Sequence, residues 1–518
     1  MSISLSRKLM AVAVAGLSFL AITCGCLSFS HTHVITVKDS YAIVASASIV
    51  NDSVWHKATI GELQKKYPDA TVIMWEKDIS EALPELKKVK PSYTAFVVKP
   101  GEAGVHFTIA ISHLARQIDD DPYTDTFWGV ITGYDAESAQ ALASAGPIHI
   151  ERALDCAGCD LTVFQKAWRY TEDHRGTMNT WDASSNDKIQ DHPCDTDNTL
   201  GVLERLQKDN IQFLTTSGHA TQHDWQMGYC GPNMAMVHKD GELLAMNTNR
   251  DLLKAHSDEP KVYFANGNCL IGDIDQRDCM ALSWMRDGGV RQMMGYTVTT
   301  WFGAQGWGAL GLFTDNAGLH TAAEAFHFTN ASIVNTLEKA IEVTGAEDLR
   351  HTYLKKIEKM NQPISAQTLH WFMSLPSPER VQQRDYLMQI CGNLHDRDTV
   401  CFYGDPALDA RIVNSRFTQL PFTYDPDDKT LTLTMKLNKG ERKGAIWFRL
   451  PGSWSYDKEN IIVPEALGKP DLCLDNMIRF PEANLTQTGT YRVVLQAAID
   501  LTQPPCEICD ETHSRVEY

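Results

Sequence analysis

The sequence predicts an α/β protein, with helices on both faces of a largely parallel sheet and an all-β region after it. Three observations carry this. From Tyr41 to Ala145, short β-branched or aromatic runs alternate with segments of helical period, and the alternation resumes from Gly201 to Val343. From Phe417 to Ile499 the period changes to two, with turn signals between short runs. A chain of 518 residues with 43% hydrophobic and 22% charged positions has the composition of a globular protein and room for two or three domains. A formal net charge of -18 argues against a nucleic-acid partner, since phosphate binding rests on basic patches.

The first thirty residues are an export address. Arg7 and Lys8 precede an apolar run from Leu9 to Ile22, short for a membrane span and of the right length for a signal-peptide core. Ala21-Ile22-Thr23-Cys24 and Thr23-Cys24-Gly25-Cys26 are imperfect lipoprotein boxes, and Ser28-Phe29-Ser30 suits ordinary signal peptidase. Lipid anchoring and free secretion both stay open, so the destination is secreted, periplasmic or lipid-anchored at the cell envelope.

In the first α/β unit, residues 31–147, strands are expected at Tyr41–Ala45, Ala70–Trp75, Tyr93–Val98 and Asp125–Ile131. Helices are expected at Trp55–Tyr67, Ser80–Val89, Phe107–Ile118 and Ala136–Ala145. This unit offers no nucleophile and base. Asp119, Asp120, Asp121 and Asp125 carry oxygen ligands of the kind structural calcium takes, although a solvated charged loop is the commoner reason for such a run.

From Pro147 to Asn198 the chain turns polar after one expected helix, Thr162–Glu172. A long loop beside a sheet suits the wall of a substrate cleft. Asp155 and Asp160 are candidates for an acidic pocket that would take an Arg or Lys side chain. Of thirteen cysteines, Cys24 and Cys26 lie in the signal region, and the rest form an odd set. One unpaired thiol among disulfides is what an exported cysteine enzyme would carry. Cys156-Ala157-Gly158-Cys159 and Cys506-Glu507-Ile508-Cys509 have zinc or redox spacing, with His174 and His192 as helpers. Disulfides or reduced structural thiols explain such pairs more often.

The chemistry concentrates between Ile211 and Asp287. A helix over Gly201–Asp209 leads into the strand Ile211–Thr216, which breaks at Ser217-Gly218-His219-Ala220. The strand Val262–Ala265 breaks at Asn266-Gly267-Asn268-Cys269. Parallel sheets gather their chemistry at the carboxyl ends of strands, so His219 and Cys269 are expected together. An imidazole beside a thiol favours the reactive thiolate and later returns a proton to the leaving amine. The N–H groups of Cys269 and Ala220 lie in turns where sheet bonding has ended and could hold an oxyanion. Asp224 is a candidate to orient the imidazole. His219 and His223 stand four apart, a spacing that holds zinc on a helix, but the Gly218 turn and the lack of Glu after His219 weigh against it.

After Cys269, a helix is expected over Asp278–Arg286, ended by Gly288-Gly289, then a strand over Val290–Thr300. Trp301 to Gly308 suits an apolar rim in which Trp301 or Trp307 packs against substrate. Helices are expected at Thr321–Phe328 and Ser332–Val343.

The histidine turn, the cysteine turn about fifty residues later, and the run Cys269-Leu270-Ile271-Gly272-Asp273 resemble the gingipain family of the caspase-like clan of cysteine peptidases. Gly404-Asp405-Pro406-Ala407-Leu408 resembles the run that closes the catalytic domain of that family, though a tight turn alone would also use it. In the clan, glycine usually follows the histidine; here Ala220 does. The resemblance implies a caspase-like three-layer α/β/α region in two halves, non-catalytic over 31–147 and catalytic over 148–415. An immunoglobulin-like β-sandwich over 416–502 and a tail over 503–518 would follow. It further implies an exported cysteine endopeptidase acting on polypeptides through a Cys269–His219 dyad and a thioester acyl-enzyme, with no cofactor. Two other readings stand beside it: a catalytically silent surface binding or scaffold protein on the same fold, for which Ala220 is the sequence support, and a zinc hydrolase built on His219 and His223.

Overall fold

The computed structural model describes residues 35–36, 39–185, 188–229, 233–300, 302–344, 390, 392–413, 415–452 and 454–497. The expected signal region, Cys230, Trp301, Cys391, Cys506, Cys509 and the 503–518 tail lie outside them.

One sheet of twelve strands dominates. Its strands are β1 (Tyr41–Ser46), β2 (Thr71–Trp75), β3 (Tyr93–Val97), β4 (Phe127–Ile131), β5 (Arg152–Cys156), β6 (Lys166–Arg169), β7 (Thr177–Asp182), β8 (Gln190–Pro193), β9 (Phe213–Thr216), β10 (Lys261–Ala265), β11 (Val290–Tyr296) and β12 (Val400–Tyr403). The spatial order is β8-β7-β6-β5-β9-β10-β11-β12-β4-β3-β1-β2. The sheet is mixed: β7 and β8 run antiparallel to their neighbours and β12 runs antiparallel to β11, while the centre β5-β9-β10-β11 is parallel. Strands β1, β3 and β4 are fully buried and read as nearly continuous apolar runs because both faces are covered.

The layering shows at β10. Tyr263 and Phe264 are adjacent and so point to opposite faces. Tyr263 packs on Trp284 of helix α1 (Met280–Asp287), ring centroids 5.2 Å apart. Phe264 packs on Phe313 of helix α2 (Ala304–Asp315) at 5.5 Å. Helices therefore cover both faces.

The two α/β units share this one sheet, and the joint is β12. It lies between β11 of the second unit and β4 of the first, pairing Met293 with Tyr403 and Tyr403 with Val130. Just beyond it, buried Asp405 accepts from Tyr41 Oη (2.9 Å), Tyr67 Oη (2.7 Å) and Lys66 Nζ (2.5 Å), all from the first unit. The Gly-Asp-Pro run is thus a tie between units as well as a turn.

From Phe417 onward, two antiparallel sheets share a second core built from Leu431, Leu433, Met435, Ile446, Phe448, Phe480 and Leu495. Residues 35–36 pair with this region. Its buried Arg449 reaches back to Asp39 (2.6 and 2.9 Å) and Glu324 (3.2 Å).

Three expectations are corrected. The helix expected over Thr162–Glu172 is a 3-10 turn at Leu161–Val163 followed by β6, because β5 and β7 offer hydrogen bonds on both sides and Trp168 fits the pleat. The two helices after Thr321 are one, α3 (Ala322–Thr344). Of the segment expected as an apolar rim, Ala304 to Gly308 is helical.

Candidate active site

Strands β9 and β10 pair in register up to Thr216 and Ala265, so the two loops leave the sheet side by side. After Thr216 the chain turns at Gly218, φ +130°, where a Cβ would lie 2.3 Å from Gln226 O. Only glycine fits. Residues 218–228 then form a narrow loop, with His219 N–H donating to Gly228 O (3.1 Å), Gln226 N–H to His219 O (2.8 Å) and Thr221 N–H to Asp224 O (2.9 Å). This pattern leaves Ala220 opposite Trp225 in a pair that exchanges no bonds. Among the described residues, nothing accepts from the Ala220 N–H. Ala220 is also absent from the left-handed region, so alanine sits there without backbone strain.

The cysteine loop is tied to the histidine loop by Asn268. Its side chain is fully buried, donates from Nδ2 to Gly218 O (3.1 Å) and accepts from Thr216 Oγ1 (2.7 Å). The residue before the cysteine therefore holds the residue before the histidine. Leu270 follows in the left-handed region, φ 58°, a conformation that costs an L residue roughly 1–2 kcal/mol. Cys269 is half-buried, and its N–H has no acceptor among the described residues. Its sulfur accepts from Thr300 N–H (3.2 Å) and lies 3.7 Å from Thr300 O.

No family model matches the chain, and no curated protein or solved structure matches it. The site's own geometry therefore carries the functional argument.

His219 is exposed, and its ring meets that of Tyr229 edge to face, centroids 5.3 Å apart. Tyr229 in turn shares a hydrogen bond with Ser217 Oγ (2.7 Å) and donates its N–H to Glu172 (2.5 Å). A Cβ on Gly267 would lie 2.8 Å from Tyr229 Oη and 3.7 Å from Trp307 Nε1, so two exposed aromatics flank the glycine that precedes Asn268.

Other expected residues serve differently. Asp224 is exposed and its carboxylate accepts from Thr221 Oγ1 (3.1 Å); Tyr229, not Asp224, packs on the imidazole. Asp155 is buried and accepts from the N–H groups of Ala157, Gly158 and Cys159 and from Arg169 Nε (2.6 Å). It builds the turn after β5 and has no room for a substrate cation. Asp160 caps the next short helix through Thr162. The carboxylate beside the site is instead Glu172, which the sequence does not flag because nothing local marks it.

All seven described cysteines are free thiols, Cys156 and Cys159 included. Burial, then the Asp155 charge, pushes both of these thiols well up. The loop that carries His219 and His223 is no helix, so the four-residue spacing does not set both imidazoles on one helical face, and His223 stacks on His238. Among the described residues, Asp119, Asp121 and Asp125 are the cluster with ligand atoms within 4.8 Å of one another. The carboxylates expected to suit calcium therefore do converge, apart from Asp120.

Proposed function

We propose that the protein is a cysteine peptidase of caspase-like fold, exported, with an immunoglobulin-like domain after its catalytic region. The observation that carries this is the Asn268 bridge, which registers a cysteine loop against a histidine loop at the ends of adjacent parallel strands. In this reading Cys269 Sγ attacks the scissile carbonyl and its proton passes to His219. The N–H groups of Cys269 and Ala220, both unengaged among the described residues, receive the oxyanion. His219 then protonates the leaving amine, and water hydrolyses the thioester. Tyr229 and Trp307 supply apolar walls, and the chemistry calls for no cofactor.

One observation favours the silent binding module: the sulfur's hydrogen-bond partner is the Thr300 peptide and not the imidazole. Hydrogen bonds between catalytic groups often tighten only with substrate bound, which keeps the peptidase reading first.

The test is alkylation of the full chain with a small thiol reagent, read by peptide mass, with half-buried Cys194 and Cys473 as internal standards. Cys269 is expected to react at least about tenfold faster than either, and more slowly in His219→Ala. A screen of peptide substrates then shows cleavage that His219→Ala abolishes. Reaction of Cys269 no faster than the standards would put the binding module first.

A further inference from the structure

We infer that the backbone N–H of Thr300 is a catalytic group that holds the ionised sulfur of Cys269, and that residues 395–399 aim it. The inference rests on the peptidase reading and adds a donor to it: the two oxyanion donors serve the substrate, whereas this one serves the nucleophile.

The geometry is specific to the two protonation states of the sulfur. Thr300 presents both halves of its backbone polarity to Sγ, N at 3.2 Å and O at 3.7 Å. A neutral thiol can use both, accepting from the N–H and donating its own proton to the carbonyl. When the proton leaves for His219, the N–H bond becomes charge-assisted and strengthens, while the carbonyl contact becomes repulsive. The same residue therefore parks the thiol at rest and steadies the thiolate, pressing it away from the carbonyl. A backbone donor also costs no reorganisation at the moment of reaction.

A donor in a loop is useful only if the loop is fixed, and this one is sewn down. Thr297 N–H and Thr297 Oγ1 both donate to Thr399 O (2.9 and 2.8 Å). The buried His395 ring donates from Nε2 to Thr299 O (3.1 Å), and Thr399 Oγ1 donates to His395 O (2.6 Å). Burial pushes the His395 imidazole down to about 4, which keeps it neutral. Thr297, His395 and Thr399 are positioning residues: they act on the sulfur through the Thr300 peptide.

Two substitutions at one position separate the backbone from the side chain. Thr300→Pro deletes the N–H, and Thr300→Ala retains it. We expect Cys269 in Thr300→Ala to alkylate within about twofold of the wild type near neutral pH, and in Thr300→Pro about tenfold more slowly, the effect of one hydrogen bond to a charged group. Cys194 and Cys473 should react alike in all three. The ultraviolet absorbance of the thiolate should fall in the proline variant alone, which a merely structural role would not produce. Equal rates in the two variants overturn the inference while leaving the peptidase intact. If wild-type Cys269 reacts no faster than Cys194 and Cys473, the peptidase reading falls, a distinct result. Should Thr300→Pro lose its cooperative unfolding transition, Thr297→Val is used; it removes one tie of the loop and leaves every N–H in place. It is expected to slow Cys269 about threefold, and an unchanged rate there overturns the inference.

Discussion

A single amide ties the cysteine loop to the histidine loop. Replacing Asn268 by aspartate would set a carboxylate against Gly218 O and bury a charge, whereas alanine would leave that carbonyl without its donor and Thr216 Oγ1 without this acceptor. Asn268→Ala is expected to cost about 1–3 kcal/mol in denaturant unfolding, and Asn268→Asp more. Both should lower peptide turnover beyond what their stability loss explains, as read by kcat at a temperature where both are folded. His219 and Cys269 were legible in the sequence because a strand that stops at a turn announces what it presents. Asn268 was not, although it adjoins the cysteine, since its partners Thr216 and Gly218 lie some fifty residues away and only strand register brings them near. The meaning of Ala220 was equally hidden: its φ, and not its side chain, decides whether alanine is tolerated there.

Among elements, helix α2 matters most to the site, because Trp307 projects from its first turn and a Cβ at Gly306 would lie 2.1 Å from Asn266 O. That first turn is held by Asp396, which is fully buried and accepts from Gln305 N–H and Tyr296 Oη, each at 3.0 Å. Burial raises its carboxyl from 3.8 to about 6. The folded chain thus holds this proton more tightly than the unfolded one, so the contribution is fully present below about 4 and is lost as pH rises towards 6. Asp396→Asn removes that titration. Wild-type Tm should lose ground against the variant between pH 3.8 and about 6 and hold a constant difference above it. A difference that is flat throughout would show that Asp396 does not carry the proton. The strands of the first unit were readable from their apolar runs. The 161–182 region was not, since its apolar residues fit either period and the neighbouring strands made the choice.

Across the whole molecule, the α/β sheet and the C-terminal β region meet at a buried charge cluster. Arg449 bonds Asp39 and Glu324 and lies over the rings of Tyr93 and Phe422 at 5.1 and 5.2 Å. Arg449→Ala takes the paired cation from Asp39 and leaves the fully buried Glu324 with Arg411 at 3.6 Å, and should destabilise the protein by ~3–5 kcal/mol. If the junction is one cooperative unit, a single calorimetric transition moves down; two separated transitions would show that the halves unfold independently. The alternation of periods made the broad architecture legible, but the fusion of both α/β units into one mixed sheet was not, because β12 is only four residues long and reads as a turn flank.

That short strand sets an order of events. β12 fills the gap between β11 and β4, yet it is the last strand of the sheet to emerge during synthesis, more than a hundred residues after β11. Until it arrives, the nascent chain has two partial sheets, each with an inner edge ready to pair with another molecule. The cysteine and histidine loops both belong to one of those partial sheets, and Cys269 leans on a loop sewn to 395–399, directly ahead of β12. Closure of the sheet and seating of the Cys269 loop are therefore one late step, so a chain interrupted before it carries Cys269 and His219 without the support that fixes the cysteine's surroundings.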